Sequence, residues 1–390
     1  MEAQLASYIL DWLSLLARWA HLVVGTAWIG ASFYFIWLDN HLEPARSDQV
    51  AGELWAIHGG GFYHAEKFES APPQLPARLH WFKWEAYWTW ITGFFLLALI
   101  YYAGADLYLI DAARMPMSKW NAIGIGLAFV IGGTAVYELL CRSPLGRYDA
   151  ALAAVLFGLL SLAAWGLCQL FSGRGAFIHY GAMLGSVMVA NVAHVIIPGQ
   201  RRMVEAIRAG RMPDLRDAAA GKQRSVHNTY FTLPVLFTMI SSHYAFSFGS
   251  RWNWLLLVAL TAAGALIRVW FVLRHKGRAP LWPLAAGLGL LLALMLLLLP
   301  IKDQNALPVK FDEVKSIIDA RCANCHAAKP TFPGVTETPK GILLDTPERI
   351  QAQAVQIHQQ TVLARAMPPG NLTGLTEEER RLLDRWLRAR

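Results

Sequence analysis

Residues Leu290–Pro300 read LLLALMLLLLP and close an apolar run that begins at Leu281. No charged side chain interrupts the run, and about 20 such residues let a helix cross a hydrocarbon layer about 30 Å thick. Seven further apolar runs precede it, at roughly residues 9–38, 80–102, 119–140, 149–171, 176–198, 227–248 and 252–273. The sixth of these, 227–248, is the most polar. Inside lipid a backbone must satisfy its own hydrogen bonds, so each run predicts a helix. The expected fold is all-α: a polytopic membrane bundle of about eight transmembrane helices over residues 1–300, with a small helical domain over 301–390. The first run lacks a basic start and a small-residue cleavage site, so it reads as a membrane helix rather than a secretory signal.

Composition agrees. Of 390 residues 55% are hydrophobic and 16% charged, with 16 Trp and a mean hydropathy of +0.34. Soluble domains carry roughly 25% charged residues, so an ordinary soluble enzyme, a disordered chain and a collagen are all excluded. Residues 1–300 hold 22 basic and 16 acidic groups, whereas 301–390 hold 13 and 11 in less than a third of the length. That jump marks the division near residue 300.

The net charge of +8 suits a lipid surface, and no nucleic-acid motif accompanies it. With eight spans, one set of loops (39–79, 141–148, 199–226, 274–280) carries 15 Lys or Arg, and the opposite set carries four: Arg114, Lys119, Arg174 and Arg251. Basic loops stay inside. Both termini are therefore expected outside, in the periplasm of a bacterial inner membrane. Cys141 and Cys168 then fall at opposite ends of their helices, too far apart for a disulfide.

The soluble end carries Cys322-Ala-Asn-Cys325-His326, the C-x-x-C-H signature of covalent c-type haem. Two thiols one helical turn apart form thioethers with the porphyrin, and the adjacent imidazole reaches the iron. A dithiol redox pair and a zinc half-site are the competing readings, but no second Cys pair follows. Met367, in Met-Pro-Pro-Gly-Asn, is the expected sixth ligand, with His358 as competitor. Phe311, Val314, Ile317 and Ile318 share one apolar face leading into the motif. Thr376 and Glu379 form a capping box ahead of Leu382, Leu383, Trp386 and Leu387.

Histidines inside the apolar runs are functional candidates by their cost. His21, His179 and His243 fall in the outer half or middle of their helices, and His80, His194 and His227 near inner ends. A neutral imidazole ligates iron well, so His21 and His243 could hold a b-type haem between the first and sixth helices. The inner loop 39–79 combines Trp55, His58, Gly59, Gly60, Gly61, Phe62, Tyr63 and Lys67, where glycines would let a flat ligand approach an aromatic ring, although a GGG run alone is more often just a turn. The second helix opens HWFKWEAYW at His80. An aromatic belt explains its rings, while Lys83 and Glu85 exceed what a belt needs. Gly181 and Gly185 form a GxxxG that helix packing suffices to explain.

Taken together, RWAHLVVGTAWIG (18–30), HGGGFYHAEK (58–67), HWFKWEAYWTW (80–90), IIPGQRRMV (196–204) and HNTYFTLPVLFTMISSHY (227–244), ending in CANCH and MPPGN, closely resemble the membrane-bound, cytochrome-c-fused urate oxidases, the PuuD family. The resemblance spans nearly the whole chain. It implies oxidation of urate to 5-hydroxyisourate in purine degradation, with electrons passed to the cytochrome and on to an external c-type cytochrome or terminal oxidase. By the same resemblance Cys322, Cys325 and His326 hold haem c and Met367 is its axial ligand. The first helix also resembles haem-binding membrane proteins of the protoporphyrinogen-oxidase type, which supports His21 as an iron ligand.

A site for a flat, anionic purine needs a cation, a stacking surface and a base. The inner face offers Lys67, Lys83 and Arg202 as charges, Phe62, Tyr63 and Trp84 as surfaces, and His58, His80, His227 and Glu85 as bases. Haem c lies on the other side, so a relay at His21 and His243 would bridge the layer. A quinol-linked electron-transfer cytochrome is the alternative reading, and a haem-bearing sensor or copper-transport relative ranks third.

Overall fold

The computed structural model describes all residues except 1, 46–49, 69–70, 113, 276, 300–308, 334, 336 and 389–390. The expected boundary at residue 300 lies outside the described residues. The chain is mostly helical. Helix α1 (Glu2–Asn40) leads to a hairpin of β1 (Val50–His58) and β2 (Gly61–Phe68). Then come α2 (Trp84–Leu96), which continues through a wider π turn to Tyr102, the short α3 (Ala105–Tyr108), α4 (Lys119–Arg142), α5 (Asp149–Leu170) and α6 (Gly173–Ala190). A second π turn, Asn191–Ile196, joins α6 to α7 (Ile197–Arg208). The bundle closes with α8 (Leu215–Ser241), the short α9 (Ala245–Phe248), α10 (Asn253–His275) and α11 (Trp282–Leu297).

Five helical stretches among the described residues are long and apolar enough to cross a membrane: Tyr8–Asn40, Lys119–Arg142, Asp149–Leu170, Gly173–Arg208 and Asn253–Arg274. The remaining three expected spans differ for local reasons. The second begins as helix only at Trp84 and widens at Leu97. The sixth starts at Leu215, where the Asp214 side chain accepts from the Arg216 N–H, and stops at Ser241. The last is 16 residues, or about 24 Å at 1.5 Å per residue, with Leu288, Leu292, Met295, Leu296 and Leu297 facing outward.

The all-α expectation needs one correction, in the inner loop. His58 pairs with Gly61 and Trp55 with His64 in an antiparallel ladder. Gly59 and Gly60 sit at φ of 58° and 82°, and two consecutive left-handed residues make the turn whose twist suits a two-residue hairpin. Only glycine takes both positions without strain. The triple glycine therefore folds a turn of the chain on itself.

Helix α6 is the axle of the bundle. Phe177, His179, Tyr180, Met183, Leu184 and Val187 are buried on it, and α4, α5 and α8 pack around it. Gly181 explains the close approach of α8: a Cβ there would collide with the Thr238 side chain, whereas one at Gly185 would meet nothing within 4 Å. One glycine of the GxxxG does the packing. The π turn at Asn191–Ile196 precedes Pro198, which lacks an N–H and crowds the carbonyl four residues back, so the helix widens there rather than breaking.

The C-terminal unit comprises α12 (Phe311–Arg321), α13 (Ala323–His326), α14 (Pro347–Ala352), α15 (Ala354–His358) and α16 (Glu377–Arg388). Its core gathers Val314, Ile318, Cys322, Leu344, Ile350, Ile357, Leu383 and Trp386, with Phe311, Ile317, Leu382 and Leu387 packed against it. The capping box forms in both directions: Thr376 N–H donates to Glu379 Oε2 at 2.7 Å and Glu379 N–H to Thr376 Oγ1 at 3.2 Å. The unit rests on the bundle. Ala364 packs against the bundle core, Gly370 faces Leu107, Arg365 lies 3.9 Å from Asp111, and Gly249 abuts the Leu363 carbonyl too closely for any side chain. The loops it touches follow α2 and α8, and both belong to the loop set that charge counting places outside.

Candidate functional site

Two constellations stand out, one in the bundle and one in the C-terminal unit.

The first is a buried polar network built where α4, the π turn after α6 and α8 meet. Tyr137 Oη and His227 Nδ1 share a hydrogen bond of 2.7 Å. Asn191 Nδ2 donates to Tyr137 Oη at 3.0 Å and to Asn228 Oδ1 at 2.8 Å, and Asn228 Nδ2 donates to the Met188 carbonyl at 3.0 Å. Arg224, 3% exposed, pairs with Glu138 at 2.9 Å and lies over the Tyr137 ring at 5.0 Å. Burying these groups is tolerable because each side chain finds a partner, although Arg224 Nη1 has none. π turns recur at functional sites because they re-aim side chains out of helical register, and this one turns Asn191 into the network. His227 was legible in the sequence; Tyr137, Asn191 and Arg224 were not singled out. Arg224 counts only as a charge of loop 199–226, and Tyr137 and Asn191 are uncharged residues inside apolar runs.

The other inner-face candidates are spread along the surface. Lys67 pairs with Asp39 at 2.6 Å, and Arg202 makes two hydrogen bonds to Asp217, so neither cation is free. His58 is exposed at the end of β1. Phe62 and Tyr63 are 78% and 57% exposed at the hairpin. Lys83 lies 5.4 Å from the centre of the Trp84 ring. Glu85 is part-buried in the first turn of α2, and its Oε2 is buried without a hydrogen-bond partner. His80 and His194 are exposed.

His21 and His243, the pair expected to hold a b-type haem, share no contact among the described residues. His21 packs on α2: Nδ1 is 3.0 Å from Thr92 Oγ1, and the ring lies against Gly93, where a Cβ would sit 2.9 Å from Cε1. The Thr92 hydroxyl already donates to the Trp88 carbonyl, so Nδ1 is the donor and Nε2 keeps its lone pair. His243 is exposed in the turn beyond α8. His21 thus has the posture of a ligand, and His243 shows no contact with it.

In the C-terminal unit, His326 Nδ1 lies 2.9 Å from the Ile342 carbonyl. A carbonyl can only accept, so Nδ1 carries the proton and Nε2 is free to ligate, the arrangement by which outer partners orient a metal-binding imidazole. Cys322 and Cys325 are free thiols on the same turn. Burial pushes the Cys322 thiol up to about 12, the opposite of the lowered value that activates a dithiol redox pair. Nor do these groups converge as zinc ligands would. Among the described residues the one set of three His, Cys, Asp or Glu ligand atoms within 4.8 Å of one another is Glu53, His64 and Glu66 on the hairpin. The residues present therefore fit a covalent porphyrin better than either competitor.

Of the two candidate sixth ligands, His358 is engaged: its Nε2 is 2.7 Å from Asp384 Oδ1. Met367 holds its place by its main chain, the N–H donating to the Gln360 carbonyl at 3.0 Å and the carbonyl accepting from Arg380 Nη1 at 3.3 Å. Its part-buried thioether is left uncommitted.

The urate oxidase N-terminal family matches residues 7–299, the whole bundle. The chain belongs to that family. No curated relative matches the chain, and no solved structure matches it. Membership makes a urate-related oxidoreductase of the bundle and urate a plausible substrate. The match ends at residue 299, so the unit with Cys322 and His326 stands outside it.

Proposed function

We propose that the protein is a membrane-bound urate oxidase that converts urate to 5-hydroxyisourate and delivers the electrons to a c-type cytochrome instead of forming peroxide. The observation that carries this reading is the family match over residues 7–299, joined in one chain to the Cys322–His326 motif. Urate and one water give 5-hydroxyisourate, two protons and two electrons.

The chain's residues divide the work. His227 is the base: Nε2 can take a proton while Nδ1 stays on Tyr137, whose hydroxyl is fixed in turn by Asn191. Proton removal as electrons leave is the step such a positioned base assists. Glu85, with its unpartnered carboxylate oxygen, is the second acceptor at the inner end of α2. Phe62 and Tyr63 on the hairpin, with His58, Lys67, Lys83 and Trp84, form the cytoplasmic approach for a flat anion. On the opposite side the C-terminal unit, docked through Leu363–Gly370, sits in the periplasm of a bacterial inner membrane. Cys322 and Cys325 would hold a covalent haem, with His326 and Met367 the side chains offered to its iron, and the group would supply a one-electron couple. The Gln360 carbonyl and Arg380 hold the main chain of Met367 in place. The final acceptor is an external c-type cytochrome or a terminal oxidase.

Anaerobic addition of urate to the purified full-length protein tests the reading: the cytochrome absorbance should shift to the reduced form. Reduction by quinol but not by urate contradicts it and favours a quinol-linked carrier.

A further inference from the structure

Between Asn253 and Leu273, helix α10 carries one charged residue, Arg268 within ALIRVWF (265–271). Its side chain does not reach toward water. It is 7% exposed, and its guanidinium lies over the Phe33 ring of α1, 4.3 Å from the centre. Nε is buried with no hydrogen-bond partner. Among the described residues Arg268 forms no ion pair. The other two buried arginines each hold a partner: Arg224 pairs with Glu138 through Nη2 although its Nη1 has none, and Arg380 donates to the Thr361 and Met367 carbonyls. A cation buried away from water needs an anion or hydrogen-bond acceptors. Among the described residues Arg268 has no anion, and its Nε has no acceptor.

Its position narrows what the missing partner is. Arg268 stands six residues before Arg274, the inner end of the apolar stretch, or about 9 Å at 1.5 Å per residue. On the facing helix α8, Tyr230 lies within electrostatic reach, and His227 is three residues before it, about 4.5 Å along the helix axis. The free guanidinium and the base of the polar network therefore lie at one level of the bundle. A guanidinium stacked on an aromatic face keeps its N–H groups in the plane of the stack, aimed at the edge of whatever lies beside it, and this fork suits a planar ligand offering two acceptors. A deprotonated purine offers that edge.

We infer that Arg268 anchors the substrate anion: its guanidinium binds the ring edge of urate between α1, α8 and α10, with Phe33 as the stacking surface beneath it. The inference rests on the urate oxidase reading and adds the cation that Lys67 and Arg202, both already paired, do not supply.

The test measures binding and turnover separately. Full-length protein in micelles is titrated with urate under anaerobic conditions by equilibrium dialysis, and steady-state rates are followed by cytochrome reduction. Losing a charge-assisted bidentate contact weakens binding about ten- to a hundredfold. R268Q is expected to lose urate affinity and raise KM by that factor, with kcat within about threefold, while R268K recovers part of the loss. Binding of hypoxanthine, a neutral purine, should be the same in wild type and R268Q. Should R268Q unfold, R268K and Phe33→Leu carry the test, each with a smaller rise in KM. Equal urate affinity in wild type and R268Q overturns the inference, as does a wild type that binds no urate. An R268Q protein that loses only bound phospholipid phosphate overturns it too, making the group a lipid contact. Arg268-dependent binding without anaerobic turnover supports the anchor and contradicts the oxidase reading; turnover with KM unmoved by R268Q does the reverse.

Discussion

Tyr137→Phe removes one oxygen and leaves the ring under Arg224 in place, so it isolates what the hydroxyl does. That oxygen meets His227 Nδ1 at 2.7 Å and accepts from Asn191 Nδ2 at 3.0 Å. Asn191 is 1% exposed, so its N–H loses a partner that water cannot replace, which costs about 1–3 kcal/mol. His227 is part-buried, and its lost bond adds about 0.5–1.5 kcal/mol. The expected destabilisation is about 2–4 kcal/mol, read as a lower midpoint of thermal unfolding in micelles. Activity should fall further than stability explains. An imidazole free to swing is out of reach for part of the time, so kcat is expected to drop about tenfold or more with KM little changed. His227→Gln should lower kcat on its own, and the double variant should be no worse than His227→Gln, since the hydroxyl acts through the ring. Additive losses in the double variant, or a rise in KM alone, would refute a positioning role for Tyr137.

Three further outcomes follow from particular contacts. Gly181→Val drives a side chain into Thr238 and should cost about 1–3 kcal/mol or more of bundle stability, whereas Gly185→Ala, with nothing within 4 Å, should leave the melting midpoint unchanged. In the C-terminal unit burial opposes ionisation of Asp384, but hydrogen bonds from His358 and Arg388 prevail and hold its carboxyl below the usual range. A depressed folded value contributes stability above the unfolded value of about 3.9, and that contribution is lost as pH falls through the folded value. Asp384→Asn should therefore be less stable than wild type at pH 7 and converge with it in strong acid, as followed by circular dichroism. Gly249→Val wedges the C-terminal unit off the bundle at Leu363 and should slow urate-dependent reduction of the cytochrome while leaving its absorbance spectrum and its direct reduction by dithionite intact.

The features legible in the sequence were those set by local chemistry. The apolar runs named the helices because lipid leaves the backbone no alternative, the capping box at Thr376 and Glu379 fixed the start of α16, and the spacing of Cys322, Cys325 and His326 placed the motif on one turn. Register and contact were harder to read. The triple glycine next to Phe62 and Tyr63 reads either as room for a ligand or as a plain turn, and it is the turn, of a hairpin whose strands alternate too weakly to announce themselves. Lys67 and Arg202 looked like free cations, because their partners Asp39 and Asp217 come from other elements. His21 and His243 shared a depth in the linear reading but lie against different neighbours. Arg268 was the most visible miss: a lone charge inside an apolar run is itself the signal, but counting charges by loop passed over it. Tyr137 and Asn191 could be found only once the π turn brought α6 round to face α4 and α8.

The central claim is that electrons taken from urate in the bundle arrive at the cytochrome of the same chain. It is tested most directly by titrating the oxidised full-length protein with urate in the absence of oxygen, following cytochrome absorbance and 5-hydroxyisourate together. The account predicts two c-type haems reduced for each urate consumed, since each haem takes one electron, so the second electron passes to a second molecule, and no peroxide when air is readmitted. Urate consumed with the cytochrome still oxidised, or a cytochrome that urate leaves untouched, would contradict it.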